Sequence, residues 1–197
     1  SRDSHFVVMA GAMHAPPVPP TPPHMAVPPF TARELAHLRR VNFGIVGAEL
    51  LPGNVGRLAI RQFYRPAPEL QDRLASAMAL LADSWALIVD LRENVGGDPK
   101  AVALLLSYFF DRPPFVVNRF HWRNRPVEEF RTTSRPGGPR YGETRPLVVL
   151  TSGATWSAAE EFAYDVQALR RGTIVGQVTG GGANHALPVA IVGGLTA

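Results

Sequence analysis

Apolar positions along the chain fall into two patterns, one typical of helices and one typical of buried strands. Over 66–84, leucine, alanine and methionine recur every three to four residues, which predicts an amphipathic helix that begins near Pro66 and Pro68. Apolar runs at 87–91, interrupted only by Asp90, and at 147–150 predict strands, and we expect 87–91 to be covered on both faces. The pattern also predicts strands at 43–51, 55–63, 173–175 and 188–192, helices at 31–40, 98–110 and 157–170, and a hairpin or irregular excursion at 115–133.

Specific residues mark where helices begin. Thr31 and Glu34 form a capping-box pattern at the start of the short helix. Asp98 is placed as an N-cap, with Pro99 at the first helical position. Strands that alternate with helices, around buried central strands, predict an α/β layered domain.

The first part of the chain differs in composition from the rest. Residues 14–30 are rich in proline, which predicts an extended spacer or surface loop, and 1–10 predict a loop that runs into a strand. We therefore divide the chain into 1–40, which leads into the core, and 41–197, the core itself. Because the chain begins without Met and ends abruptly, we expect a piece of a longer polypeptide whose core is incomplete at its C-terminal end.

Composition narrows the classes of function. With 46% hydrophobic and 18% charged residues the chain is typical of a globular domain, and no apolar run is long enough to span a bilayer. The net charge is +4, but the arginines are scattered and do not form the dense basic stripe that nucleic acid would need. The absence of Cys excludes disulfides, thiolate metal ligands and a cysteine nucleophile, and no histidine spacing supports a metal site. We expect no cofactor and no nucleic-acid partner.

Ser157 stands where a short apolar strand gives way, through a turn of small residues, to a helix. A hydroxyl there can face a cleft, and the free N–H groups of the first helical turn lie beside it, where they can stabilise an oxyanion. The same position suits an ordinary N-cap, with Glu160 completing a capping box. On this segment alone both interpretations stay open, and the G-x-S-x-G elbow of α/β-hydrolases is absent.

A second strand–turn–helix segment carries Gly96 and Gly97. Glycine suits a tight turn with positive φ, and it also lets a backbone amide approach a substrate carbonyl as an oxyanion donor. Neither nucleotide-binding glycine pattern is present. Among the histidines, His5 is the first candidate for a general base and His185 the second, although a lone histidine is more often structural.

Five segments, in a fixed order, carry a resemblance to a known family. They are Asp3-Ser4-His5, 53–63 (GNVGRLAIRQF), 87–97 (LIVDLRENVGG), 151–164 (TSGATWSAAEEFAY) and 176–184 (GQVTGGGAN). Together they resemble the tail-specific, or C-terminal-processing, serine proteases, and especially the branch that contains tricorn protease and the interphotoreceptor retinoid-binding protein modules. The likeness covers most of the chain outside 10–40 and 112–143.

The resemblance implies a ClpP/crotonase-like core of ββα units, preceded here by the proline-rich segment. It places the nucleophile at Ser157, and it implies an oxyanion hole built from the N–H of Ala158 and a glycine N–H of the Gly96–Gly97 turn. The C-terminal-processing branch uses a lysine base on a glycine turn. In this chain Gly182 occupies that position, and the single lysine, Lys100, lies in a different segment.

The tricorn-like branch instead uses a histidine base with a serine beside it and a glutamate after the core. His5 and Ser4 match the first two positions, and we expect the carboxylate that orients the histidine to lie beyond Ala197. The resemblance therefore implies that His5 removes the proton from the Ser157 hydroxyl, which a histidine can do near neutral pH.

We therefore expect a serine peptidase that cleaves extended, unstructured peptides through an acyl-enzyme. The segment between His5 and Gly53 is too short for a peptide-tethering PDZ module. Two alternatives stay open: a non-catalytic module that binds an apolar ligand such as a retinoid or fatty acid, and an acyl-CoA enzyme of the crotonase type, which would need Glu93 or Asp98 as its acid/base. The sequence predicts neither the natural substrate nor the oligomeric state, and the resemblance slightly favours a periplasmic or secreted location.

Overall fold

The computed structural model describes residues 9–10, 29–122, 126–182, 190–191 and 195–196, and for the three short pairs it gives the backbone alone. Ser4, His5, His185 and most of the proline-rich segment lie outside the described residues. The described elements, in chain order, are β1 (Met9–Ala10), α1 (Ala32–Arg40), β2 (Ile45–Leu51), β3 (Val55–Ile60), α2 (Pro68–Leu81), β4 (Ala86–Asp90), α3 (Pro99–Leu106), β5 (Val116–Phe120), β6 (Glu128–Arg131), β7 (Leu147–Thr151), α4 (Ala158–Ala168), β8 (Thr173–Gly176), β9 (Ala190–Ile191) and β10 (Leu195–Thr196).

A five-stranded sheet forms the centre of the fold, in the order β2-β3-β4-β7-β8. Strands β2 and β3 form an antiparallel hairpin, and the pairs from β3 to β8 are all parallel. Parallel neighbours need crossover connections, which pass through α2, α3 and α4. The predicted α/β architecture is therefore confirmed, and the structure shows that its central sheet is mostly parallel. The β5–β6 hairpin and the strands β1, β10 and β9 form two smaller antiparallel sheets.

Local capping explains where the helices begin. The Glu34 amide donates to Thr31 Oγ1 at 3.2 Å while the Thr31 amide donates to Glu34 Oε2 at 2.6 Å, which confirms the predicted capping box. Asp98 Oδ1 accepts the Lys100 amide at 2.8 Å at the start of α3, as predicted. Helix α2 begins at Pro68, two residues later than the sequence suggested.

Helix α3 was predicted to continue to Phe110, but it ends at Leu106. The Ser107 hydroxyl donates to the Ala103 carbonyl at 2.7 Å at this end, and the chain then leaves the helical path. Phe109 and Phe110 are thereby directed into the core, where they are 0% and 2% exposed. The two rings pack into the core directly after the helix ends, and apolar periodicity alone could not indicate this arrangement.

The two faces of the central strand β4 differ in burial. Leu87 and Val89 are fully buried against the helices, whereas Ile88 is half-buried. The prediction that this strand is covered on both faces therefore holds for the face of Leu87 and Val89 and only in part for the other face. The second face carries polar groups: Asp90 pairs with Arg57 and Arg92 at 2.7 Å each, and the hydrogen bonds from Arg92, followed by those from Arg57, hold the pKa of Asp90 well below its usual range.

Candidate active site

Ser157 joins β7 to α4 with an unusual backbone conformation. Its φ is 54° and its ψ is −120°, a region that non-glycine residues rarely adopt because of steric strain. The residue is half-buried, so its side chain stays accessible. Strain of this kind persists only where neighbouring contacts hold it, and such residues cluster at functional sites.

The carboxylate of Glu160 supplies the contacts that hold the turn. Glu160 Oε2 accepts the Ser157 amide at 2.8 Å, which is the carboxylate half of the capping box expected from the sequence. The same carboxylate accepts the amides of Gly181 and Gly182, at 2.7 Å each. Burial would raise the pKa of Glu160, but hydrogen bonds from the Thr179 hydroxyl and these amides outweigh it, and the pKa lies below its usual value. One buried carboxylate thus ties the serine turn to the glycine loop.

The glycine loop lies flat on the indole ring of Trp156. A Cβ added at Gly180 would stand 2.2 Å from Trp156 Cε3, and one added at Gly182 would stand 2.1 Å from Trp156 Cε2. Any side chain at either position would collide with the ring. Position 182, which the sequence resemblance aligned with the lysine of the C-terminal-processing branch, therefore has room only for glycine in this chain.

The two strand–turn–helix segments meet directly. A Cβ added at Gly96 would lie 2.7 Å from Ser157 Cβ, 2.7 Å from the Trp156 carbonyl oxygen and 3.1 Å from the Ala158 nitrogen. Gly96 has φ +91°, and Gly97, at φ +139°, packs against the Phe63 backbone. The contact places the diglycine turn beside the serine turn, as an oxyanion hole built from both turns requires.

The candidate oxyanion donors differ in whether their backbone amides already donate a hydrogen bond. The Gly96 amide donates to Asn94 Oδ1 at 2.8 Å, so it is already engaged. Within the described parts of the chain, the amides of Gly97 and Ala158 have no hydrogen-bond acceptor. The oxyanion roles of Gly96, Gly97 and Ala158 stay predictions, and the geometry favours Gly97 over Gly96.

Asn94 is a residue that the sequence analysis missed. Asn94 is fully buried, and its side-chain Nδ2 donates to the Ile60 backbone carbonyl at 3.0 Å. The backbone carbonyl of Asn94 accepts the Trp156 amide at 2.9 Å. Together with the bond to Gly96, these contacts fix the diglycine turn to both the sheet and the serine turn. The only sequence signal was an amide side chain two residues before a diglycine, which by itself reads as an ordinary turn residue.

The other sequence candidates are engaged elsewhere. Lys100 Nζ lies 3.9 Å from Glu128, Glu93 is exposed and pairs with Arg61, and Asp98 caps α3. The described residues contain no group of three or more side chains suited to holding a metal ion. None of the described helices has the length and apolar character needed to cross a bilayer.

A serine at the strained start of a helix, beside unengaged backbone amides and on an α/β sheet, is typical of enzymes that transfer acyl groups. Residues 54–195, more than half of the chain, match peptidase family S41, and the chain belongs to this family. The tail-specific protease of Haemophilus influenzae is 40% identical over 97 residues, which cover 49% of this chain and 13% of that protein.

Solved structures show the same fold at lower sequence identity. A Bacteroides fragilis protein assigned to the S41 proteases aligns with a TM-score of 0.63 and 20% identity, over 78% of this chain and 43% of that one. The photosystem II D1 C-terminal processing protease aligns with a TM-score of 0.54 and 23% identity, over 78% and 39%. The chain therefore spans less than half the length of these relatives.

Proposed function

We propose that the chain carries the catalytic core of a serine peptidase that cleaves extended peptides, with Ser157 as the nucleophile. The observation that supports this most directly is the contact between Gly96 and the Ser157 turn, since it brings the helix-start hydroxyl together with the amides of Gly97 and Ala158. Membership of peptidase family S41 supports the same conclusion.

In the proposed reaction, Ser157 Oγ attacks the carbonyl carbon of a peptide bond and the amides of Ala158 and Gly97 stabilise the oxyanion of the tetrahedral intermediate. The intermediate collapses to an acyl-enzyme and releases the amine product, and water then hydrolyses the ester. Fixed amide donors act here without reorganising, because Asn94 and Glu160 already hold both turns in place.

We assign the general base to His5, with Ser4 beside it, on the resemblance to the tricorn-like branch. Both residues lie outside the described part of the chain, so the assignment depends on sequence alone. A histidine accepts the hydroxyl proton and later gives it to the leaving amine, and such acid–base help contributes about 10²–10⁴-fold to rate.

The apolar-carrier alternative gains no support from the core cavity among the residues that the structure describes. A core cavity lined by Phe43, Ile45, Phe63 and their neighbours has a volume of about 10 Å³. Such a space holds a single water at most, and a retinoid or fatty acid would not fit.

A fluorophosphonate probe tests the proposal. We expect labelling of the wild-type chain at Ser157, no labelling of Ser157→Ala, and unchanged labelling of Ser76→Ala, which removes an exposed hydroxyl from α2. His5→Gln should slow labelling by about 10²-fold or more. Unlabelled wild-type protein that binds retinol or a fatty acid tightly would instead support the carrier.

A further inference from the structure

Two acidic side chains on the helix that begins after Ser157 form no ion pair with a cationic side chain among the residues that the structure describes. Glu161 and Asp165 follow Ser157 by one and two helical turns and share its face of α4. Asp165 is 5% exposed. Its Oδ2, like Oε1 of Glu161, is buried without a hydrogen-bond partner among the residues that the structure describes.

Six other carboxylates of the described chain form ion pairs with arginine. They belong to Glu49, Glu69, Asp90, Glu93, Glu129 and Glu143. Glu161 instead receives a hydrogen bond from Asn118, and the charge beside it is another carboxylate, that of Asp98. The charge beside Asp165 is Glu161 itself. The described part of this arginine-rich chain thus provides no cation for the buried Asp165 and the half-buried Glu161.

Burial and mutual repulsion destabilise Glu161 and Asp165 when both carboxylates are ionised and no cation is bound to them. Burial, with the negative charge of Glu161, raises the pKa of Asp165 to about 8. Burial likewise raises the pKa of Glu161. An external cation would relieve both effects, because an opposite charge favours the ionised carboxylate.

Glu161 and Asp165 line a cleft, and Glu160, whose carboxylate holds the Ser157 turn, lines the same cleft. The cleft has a volume of about 730 Å³, and its walls come from Asn118 on the β5–β6 hairpin and from 174–179 at the end of β8. At a rise of 1.5 Å per residue, Glu161 stands about 6 Å and Asp165 about 12 Å from Ser157 along the helix axis. A lysine or arginine side chain on a peptide held at Ser157 would reach the first of these carboxylates.

The donor set suits an organic cation better than a metal ion. Calcium takes six to eight oxygen ligands, and the described residues provide no group of three acidic or histidine side chains here. A guanidinium or ammonium group brings its own hydrogen-bond donors, and two carboxylates match it.

We propose that Glu161 and Asp165 form a subsite for a basic side chain, arginine or lysine, of the peptide substrate. The proposal rests on the peptidase function proposed for Ser157. The subsite would make cleavage depend on a basic residue near the scissile bond.

Peptide binding to the Ser157→Ala chain, which lacks the proposed nucleophile, tests the subsite separately from the peptidase function. Fluorescein-labelled alanine octapeptides, each carrying one arginine, lysine or norleucine at a scanned position, are titrated against the full Ser157→Ala chain by fluorescence anisotropy. At one or two adjacent positions we expect the basic peptides to bind about tenfold or more tightly than norleucine, as charge-assisted hydrogen bonds predict. The preference should vanish in the Glu161→Gln/Asp165→Asn variant and persist in Asp72→Asn, which removes an exposed charge from α2.

The outcomes distinguish which proposal fails. Both substitutions preserve side-chain shape and remove an unfavourable charge, and a thermal melt verifies that the variant folds. Probe labelling at Ser157 without a basic preference at any position would overturn the subsite while supporting the peptidase. A basic preference that survives the double substitution, or saturation of the pair by Ca²⁺ that arginine peptides do not displace, would also overturn it. A preference that depends on the pair, without probe labelling, would leave the subsite standing and refute the peptidase.

Discussion

Substituting Gly96 by alanine tests the contact on which the site depends. The added methyl group would stand 2.7 Å from Ser157 Cβ and 2.7 Å from the Trp156 carbonyl oxygen, at a residue with φ +91°. Gly53 provides a matched control, since its φ is +81° but an added Cβ there would meet nothing within 4 Å. The two substitutions share the backbone strain and the loss of glycine entropy in the unfolded chain, and they differ in the steric collision.

The magnitudes follow from these two contributions. A left-handed φ costs a residue with a Cβ about 1–2 kcal/mol, so Gly53→Ala should lower the free energy of unfolding by about that amount. Overpacking against backbone adds about 1–3 kcal/mol, so Gly96→Ala should lower it by about 2–5 kcal/mol. The turn must also move away from Ser157, and we expect fluorophosphonate labelling to slow by more than tenfold in Gly96→Ala and to be unchanged in Gly53→Ala.

Urea unfolding with linear extrapolation measures the free energies, and probe kinetics on the folded fraction measure the site. If both variants lose the same stability and label at the wild-type rate, the diglycine turn does not press on Ser157. The reasoning that joins the two turns into one site would then be wrong.

Asn94, Gly182 and Asp165 each allow a further test by substitution. Asn94→Ala removes the side-chain partner of the Gly96 amide and of the Ile60 carbonyl, and it should lower the free energy of unfolding by about 2–5 kcal/mol. Asn54→Ala, at an exposed position, should lower it by less than about 1 kcal/mol. Urea unfolding measures both. Gly182→Lys should not create a working serine–lysine pair, because Trp156 occupies the space of the new side chain, and a peptidase assay of this variant in the His5→Gln background should show no gain. The pKa of Asp165 is raised to about 8 in the folded state, whereas the same carboxyl ionises near pH 4 in the unfolded chain. The free energy of unfolding should therefore fall as the pH rises from about 4 to about 8. Asp165→Asn should flatten this slope, as measured by urea midpoints.

Each of these has a clear contrary result. Equal losses in the two asparagine variants would mean that the Asn94 amide does not hold the turn. Activity restored by Gly182→Lys would mean that the indole ring of Trp156 moves to make room for the lysine side chain. A slope that persists in Asp165→Asn would assign the pH dependence to Glu161, whose pKa burial also raises.

Local rules located most of the elements and the two turns of the site. Proline at Pro68, the Asp98 cap and the apolar period of α2 act within a few residues of where they stand, so the sequence alone predicts them. The same holds for the serine turn, since a strand, small residues and a helix follow each other directly. Helix α3 was predicted too long because the packing of the two rings that follow it involves residues distant in sequence.

What the sequence determined by itself was the order of strands and helices, the positions of the two turns and the family resemblance, because these depend on neighbouring residues and their types. Which amide of the diglycine turn remains unengaged was decided by the tertiary structure, since Asn94 reaches across the turn to Gly96. The strain at Ser157 and the buried, unpaired state of Asp165 also emerge only when the helices pack on the sheet. Burial and hydrogen-bond partners are properties of the assembled chain, and no local pattern specifies them.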